Sequence, residues 1–550
     1  MPVDVTVRPP AENVRRFRDS GIWRDTGQIG DLRRWRDETP HGIAIHAYRA
    51  KGEAELITYA ELAGRVTRFA GALYELGVRP GRVVAYQLPN WWQAHVLLLA
   101  AARLQAVVAP VMMSIRPREF KRILHRIGAS VCITTSEWAG FDHAAALREM
   151  APTLPALRHH LVIGEPATGE LDFRSFVEQT PWERGHPINL DDAEEDPDRV
   201  AMLLCTSGTS GVPKVALHTE NTLYASASSI TEVHDFGRDD VRFTPHALMH
   251  TVGQDTARAA LTAGASVVLL DEWSGRRGVE VLADSATTGV VAAPNFVSDV
   301  LMAIRENPRP LPALRTVRCV GASIPKPLIT AVPSALGARL LSGWGTTEIG
   351  TGTVTRVGDP SDWAAFSDGR PIAGVEVQLR STAVASHEQP QRVFVRGATV
   401  CLATVCRDSD AFTLTAAHDD GWYDTGDLAV SDGRGGIRLL GRISDRIGGV
   451  FLIPADVESE LMASPQVEDV ALVGYRNDDG AESPCAVLVP ATTPPIDLDG
   501  LRRYLTGLGM TEWYLPTRLE YVQSLPRNSN GKVRKELLRR WLVGHGSLRD

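Results

Sequence analysis

Five apolar residues, Val200-Ala201-Met202-Leu203-Leu204, read as a short buried strand that runs almost directly into Thr206-Ser207-Gly208-Thr209-Ser210-Gly211-Val212-Pro213-Lys214. A strand that ends in a loop so rich in glycine and hydroxyls fits an α/β architecture, in which ligands sit beyond strand ends. Glycines let backbone N–H groups approach phosphate oxygens, Ser and Thr hydroxyls add neutral donors, and Lys214 offers countercharge to a polyphosphate. The kinase-type phosphate loop needs Gly-x-x-x-x-Gly-Lys-Ser/Thr, whereas Lys214 is preceded by Pro213 and followed by Val215. That motif is absent, and composition alone would equally fit a Ser/Gly surface loop.

The remainder of the chain supports an α/β class. Thr58-Tyr59-Ala60-Glu61 has capping-box spacing, and Leu62, Val66, Phe69, Leu73 and Leu76 then follow on one helical face up to Gly77. Pro80-Gly81 turns the chain into Val83-Val84-Ala85-Tyr86, read as the next strand, and this alternation recurs to about residue 340. It predicts parallel sheets covered by helices. From about Gly374 the pattern changes to short strands such as Val375–Leu379 and Arg392–Arg396. The charged, glycine-rich Gly441–Gly449 segment is the best domain boundary, and beyond it a helix at Ala455–Met462 and a strand at Val470–Val473 predict a compact α+β unit.

At 550 residues the chain exceeds a single small core, and its net charge of −8 argues against a general nucleic-acid binder. The six cysteines are scattered without a Cys-x-x-Cys pair, which fits a reducing cytoplasm. The apolar run from Val96 to Met113 is interrupted by Arg103, Gln105 and Pro110, so no membrane span is expected.

Four further segments follow the first loop: Gly343-Trp344-Gly345-Thr346-Thr347-Glu348, Tyr423-Asp424-Thr425-Gly426-Asp427, Gly441-Arg442-Ile443-Ser444-Asp445-Arg446 and Pro526-Arg527-Asn528-Ser529-Asn530-Gly531-Lys532. In this order, across roughly residues 30 to 545, they resemble the adenylate-forming superfamily of acyl-CoA synthetases, peptide-synthetase adenylation domains and luciferases. Gln87-Leu88-Pro89-Asn90-Trp91-Trp92 and Leu217-His218-Thr219-Glu220-Asn221-Thr222 look most like bacterial cyclohexanecarboxylate-CoA ligases.

The resemblance implies a large N-terminal domain over 1–443, built from two helix-covered sheets plus a small β-barrel at about 374–440, and a mobile C-terminal lid over 444–550. It implies ATP and Mg²⁺ as cofactors, a small-molecule acid as substrate, and CoA or a carrier-protein thiol as acceptor. Thr206, Ser207, Gly208, Thr209, Ser210 and Gly211 would wrap the phosphates beside Lys214. Lys532 would contact the substrate oxyanion and the α-phosphate, although by spacing alone it is one more solvated cation beside Arg534 and Lys535. Thr347 would donate to the α-phosphate and Glu348 would ligate Mg²⁺, which prefers a carboxylate together with phosphate oxygens and water.

Gly343, Trp344, Gly345 and Thr346 resemble the adenine-binding loop. Trp344 stands where Tyr or Phe is usual, and it could equally be a core residue. Asp427 would accept the ribose hydroxyls with Arg442 beside the same sugar, Asp424 is read as a turn former, and Gly321-Ala322-Ser323 would flank the adenine and acyl sites. His250, Thr251, Gly253, Gln254 and Asn295 are candidate acyl-pocket residues. Gln254 and Asn295 suggest a polar ring or an amide-bearing substrate.

One segment departs from the pattern. Relatives carry Asp-x-Ile-x-x-Gly-Gly-Glu-Asn-Ile-x-Pro, whereas this chain reads Asp445-Arg446-Ile447-Gly448-Gly449-Val450-Phe451-Leu452-Ile453-Pro454. In the family this loop helps form the pantetheine tunnel, so the change bears on thiol transfer rather than adenylation. Two activities therefore stand: an acid–thiol ligase, or an adenylating enzyme with a non-thiol acceptor, such as an amide-forming ligase or a diazotase that activates nitrite.

Overall fold

The computed structural model describes residues 2–544, apart from 187, 206–213, 382–389, 406–411, 446, 448–453, 478–481, 511 and 529–530. Two nine-stranded sheets dominate. One runs, in spatial order, Arg370–Pro371, Gly350–Val354, Arg339–Thr346, Thr316–Val320, Gly289–Ala292, Val241–Phe243, Ser266–Leu270, Ile43–Tyr48, Glu55–Thr58. The other runs Phe412–Leu414, Ala403–Val405, Val215–Thr219, Val200–Cys205, Val107–Pro110, Val83–Gln87, Val131–Thr135, His159–Ile163, Leu171–Asp172. Central strands in both are parallel, as expected, but antiparallel pairs are added at the edges.

The capping box at Thr58 forms as read: its side chain accepts from the Glu61 N–H, and the Glu61 carboxylate accepts from the Thr58 N–H. The helix it starts, Tyr59–Glu75, buries Leu62, Val66, Phe69 and Leu73 in the largest core cluster. Two other helices, Glu220–His234 and Thr251–Ala263, are tied by a buried ion pair between Glu220 and Arg258 at 2.6 Å. Removing one partner of such a pair costs about 3–5 kcal/mol, because the other charge is left unpaired away from water.

The segment expected as a β-barrel is, among the described residues, an open four-stranded antiparallel sheet. Its order is Val375–Arg380, Gln391–Gly397, Tyr423–Ser431, Ile437–Arg442, and its two edge strands do not pair with each other. The intervening strand Phe412–Leu414 joins the second large sheet instead, by pairing with Ala403–Val405. Beyond Asp445 the chain forms a three-stranded sheet of Val467–Arg476, Glu482–Pro490 and Arg518–Tyr521, with helix Pro454–Met462 in its core. This is the expected α+β unit. Among the described residues no helix is long and apolar enough to cross a membrane.

Candidate active site

The phosphate-loop candidates Thr206, Ser207, Gly208, Thr209, Ser210 and Gly211 lie outside the described residues, but their anchors do not. Cys205 and Val215 are register partners where the strands Val200–Cys205 and Val215–Thr219 pair antiparallel. In a kinase-type phosphate loop a helix would follow. Here a second strand does, and it carries Lys214 at its threshold.

Lys214 sits at the mouth of a cavity of about 460 Å³. Its ammonium lies 3.0 Å from a Glu348 carboxylate oxygen and donates to the Tyr423 hydroxyl. Burial alone would raise the Glu348 pKa, but the Lys214 charge and hydrogen bond outweigh it and hold the carboxyl ionised below its ordinary range.

Glu348 and Thr347 follow the strand Arg339–Thr346, which forms a hairpin with Gly350–Val354. A Cβ at Gly345 would fall 2.1 Å from the Gly350 carbonyl oxygen, so only glycine permits this pairing. His218 fixes the turn from behind. Its Nε2 is 2.8 Å from the Thr347 carbonyl and its Nδ1 is 3.1 Å from the Thr222 hydroxyl. Burial pushes its pKa down to about 4, so the ring is neutral; Nε2 must carry the proton given to the carbonyl, and Nδ1 accepts from Thr222. In the sequence His218 is only one member of the resembling segment Leu217–Thr222. Its role depends on a contact 129 residues away in sequence, which no local pattern signals.

Trp344 is a core residue that also reaches the cavity. At 7% exposure its indole packs with Ile349 and Val354, and it also lines the cavity. Its Nε1–H donates to Asp427 Oδ2 at 3.0 Å, while Arg442 Nε donates to Asp427 Oδ1 at 3.1 Å. Asp427 and Arg442 are cross-strand partners, and this register brings the cation to the acid. Asp427 itself is behind the cavity wall rather than on it. Asp424, expected to form a turn, lies instead in strand Tyr423–Ser431 beside an irregularity of register, where it accepts from the Gly426 N–H at 3.0 Å and pairs with Arg392.

Lys532 reaches the cavity from the C-terminal unit. Its backbone N–H donates to Asn528 Oδ1 at 2.9 Å, and the Arg527 guanidinium donates to the Gly531 carbonyl at 2.7 Å. Solvent meets Lys532 while protein closes round the rest of it. Partial desolvation and the nearby Arg442 charge draw its pKa below the usual lysine value, against the pull of Asp427 and Asp445.

Among the acyl-pocket candidates, His250 and Thr251 line the cavity at the start of helix Thr251–Ala263. Burial, with Lys532 nearby, lowers the His250 pKa to about 4, so this ring too is neutral. Three other candidates are not on the cavity wall. Gly253 is pressed against the Ala247 carbonyl, where a Cβ would meet it at 2.2 Å. Gln254, 4% exposed, donates to the Leu248 carbonyl. Asn295 packs on Gly531. The Gln254 amide is thus spent on the backbone, whereas Asn295 Oδ1 is buried without a hydrogen-bond partner among the described residues. Gly321 lines the cavity, whereas Ala322 and Ser323 are exposed beside it. Asp255 and Arg318, which sequence reasoning passed over, are on the wall.

Gly343, Trp344, Gly345, Thr346, Thr347, Glu348, Lys214, Arg442 and Lys532 thus share one cleft between the large sheets and the C-terminal unit. This arrangement on this fold defines an adenylate-forming enzyme. The family model for AMP-binding enzyme matches residues 32–402 and that for the AMP-binding enzyme C-terminal domain matches residues 456–532. The chain belongs to the AMP-binding enzyme family and is an ATP-dependent, AMP-forming ligase.

The medium-chain fatty-acid–CoA ligase of Escherichia coli K12 is 27% identical over 535 residues, 95% of this chain and 92% of that protein. The 2-hydroxy-7-methoxy-5-methyl-1-naphthoate–CoA ligase of Streptomyces carzinostaticus is 28% identical over 546 residues, 96% of each chain. The crystal structure of the anthranilate CoA ligase AuaEII in complex with anthranoyl-AMP shares the fold. Its TM-score is 0.82 at 23% identity, covering 95% of this chain and 98% of that one.

Proposed function

We propose that the enzyme activates a small aromatic or alicyclic carboxylate as an acyl-AMP and passes the acyl group to CoA or another thiol. The observation that carries this reading is the convergence of Lys214, Arg442 and Lys532 on the cavity that Trp344, Thr347 and Glu348 line. A carboxylate is a poor electrophile, since its attack by a thiol would have to expel oxide. In the proposed first step a carboxylate oxygen bonds to the α-phosphorus of ATP and the α–β bridging P–O bond breaks, releasing pyrophosphate. Negative charge accumulates at one centre, and fixed cations stabilise it more in the transition state than in the ground state.

Lys532 would take the charge shared by the entering oxygen and the α-phosphate, and Lys214 that of the departing pyrophosphate. Trp344 would offer its face to adenine and Thr347 its hydroxyl to the α-phosphate. Asp427, behind the cavity wall, would orient Trp344 and Arg442, each of which donates to it, and Arg442 would face the ribose. The donor set suits Mg²⁺: Glu348 is an ionised carboxylate beside the phosphate site, and among the described residues no three acidic, His or Cys side chains cluster into a site of their own. Glu348, with phosphate oxygens and water, would hold that ion, which when bound supplies charge neutralisation to the leaving group.

In the second step the thiolate attacks the acyl carbonyl and AMP leaves with the former carboxylate oxygen. We place the division between the two moving units near Ser444, with 1–443 and 444–550 as the bodies. The names of the two CoA-ligase relatives support the thiol acceptor.

A second reading has one observation behind it, the altered Asp445–Pro454 sequence, whose residues 446 and 448–453 lie outside the described ones. It keeps adenylation but hands the group to an amine, or activates nitrite ahead of diazotising an aromatic amine. Incubation with ATP, Mg²⁺, a panel of aromatic and alicyclic acids and CoA, and in parallel nitrite with aromatic amines, separates the two by mass spectrometry. A CoA thioester supports the ligase. A diazonium product without any thioester overturns it.

A further inference from the structure

Strand Thr316–Val320 lies inside a nine-stranded sheet between Gly289–Ala292 and Arg339–Thr346. Side chains two apart on a strand share a face, so Arg318 and Val320 both meet the cavity while Cys319 enters the apolar core behind. The register neighbours of Arg318 are Val291 and Leu341, the apolar company usual for the interior of such a sheet. An arginine there is 3% exposed.

This guanidinium is poorly satisfied from within the protein. Its Nε and Nη1 are buried without a hydrogen-bond partner, and among the described residues no carboxylate lies within ion-pair distance of it. Arg242 and the side chain of His234, neutralised by burial, also act on it electrostatically and bring no negative charge. Asp255, the acid that influences it most, also lines the cavity. Asp255 Oδ2 is taken up by the hydroxyls of Ser226 at 2.7 Å and Thr351 at 3.3 Å, and Oδ1 has no partner. Burying an unpaired guanidinium is costly enough that a well-packed apolar residue would be favoured at such a position unless a partner compensates.

We propose that the acid activated in this cleft carries, away from the carboxylate that is adenylated, a second anionic group that pairs with Arg318. The proposal rests on the carboxylate-activating reading and narrows its substrate class. Arg318 meets the cavity with a guanidinium, a group that pairs well with a carboxylate, and Lys532 and Lys214 reach the same cavity from other elements to serve the reacting end.

The test measures pyrophosphate release with benzoate, cyclohexanecarboxylate, benzene-1,3-dicarboxylate and benzene-1,4-dicarboxylate. For the wild-type enzyme kcat/KM should favour at least one dicarboxylate over benzoate by about 100-fold or more, because a site built for a charged partner rejects an analogue that lacks it. Arg318→Met should bring that dicarboxylate down to the benzoate level, leave benzoate unchanged or improved, and leave the KM for ATP unmoved. Arg318→Lys, which keeps charge without the fork, should fall between. The wild-type preference needs no variant and so survives a misfolded substitution. Equal wild-type turnover of benzoate and both dicarboxylates overturns the proposal alone, as does an equal loss for all acids in a folded Arg318→Met enzyme. Absence of pyrophosphate release with every carboxylate overturns the parent reading and the proposal together.

Discussion

Gly531 rests directly on Asn295: a Cβ built on Gly531 would lie 2.0 Å from Asn295 Oδ1 and 2.7 Å from its Cγ. This contact joins the C-terminal unit to helix Pro294–Glu306 of the large one, one residue from Lys532. Gly531 also has φ +78°, a conformation that costs a side chain about 1 kcal/mol before any clash.

Gly531→Ala is therefore expected to lower kcat/KM for pyrophosphate release at least about tenfold by displacing the Lys532 loop. Thioester formation from supplied acyl-AMP should change little. In an Asn295→Ala background the same substitution should cost less, and the double-mutant cycle measures the coupling. Strictly additive effects would show that the contact does not seat the loop.

Trp344→Phe keeps an aromatic face but removes the N–H that holds Asp427 Oδ2. Hydrogen bonds to charged groups are worth about 1.5–3 kcal/mol, so the KM for ATP should rise roughly tenfold or more while the KM for the acid stays put. An unchanged KM for ATP would mean that the indole serves only the core.

Much of the scaffold could be read locally. The Thr58 capping box, the Val83 and Val200 strands and the helix after Pro454 depend on neighbours within a few residues, and all form. The antiparallel pairing of Val200–Cys205 with Val215–Thr219 could not be read so, since it leaves no mark on either strand's composition. Nor could the open sheet after Gly374, because Phe412–Leu414 is claimed by a partner in another sheet.

In the site, the motif residues Trp344, Thr347, Glu348, Arg442 and Lys532 were legible and reach the cavity, whereas the pocket candidates Gly253, Gln254 and Asn295 lie off its wall. Polar type suggested contact with substrate for Gln254, but its amide donates to the Leu248 carbonyl instead. Arg318 escaped notice for the opposite reason: a charged residue within an apolar run reads as an interruption of the strand rather than as its functional side chain.

The pH profile should follow Lys532. Its pKa lies below the ordinary lysine value of 10.5, so the protonated, active form is lost on the alkaline side sooner than for a solvated lysine. kcat/KM for ATP should fall across that limb, and Lys532→Arg should move the limb to higher pH at reduced overall activity. On the acid side, His218 and His250 have folded pKa values of about 4, below the unfolded 6.5. The unfolded chain therefore binds more protons, and each ring removes up to about 1.4 kcal/mol of stability per pH unit as pH falls from 6.5 towards 4. Thermal melts at pH 7 and pH 5 should show the loss, and His218→Gln should reduce it.

The central claim is attack by the acid on the α-phosphorus of ATP. Supplying a turned-over acid labelled with ¹⁸O in its carboxylate, together with ATP, Mg²⁺ and the acceptor, and analysing the nucleotide by chromatography and mass spectrometry tests it directly. The account predicts AMP and pyrophosphate, with one labelled oxygen carried into the AMP phosphate. Formation of ADP, or AMP free of label while the acid is consumed, would contradict it.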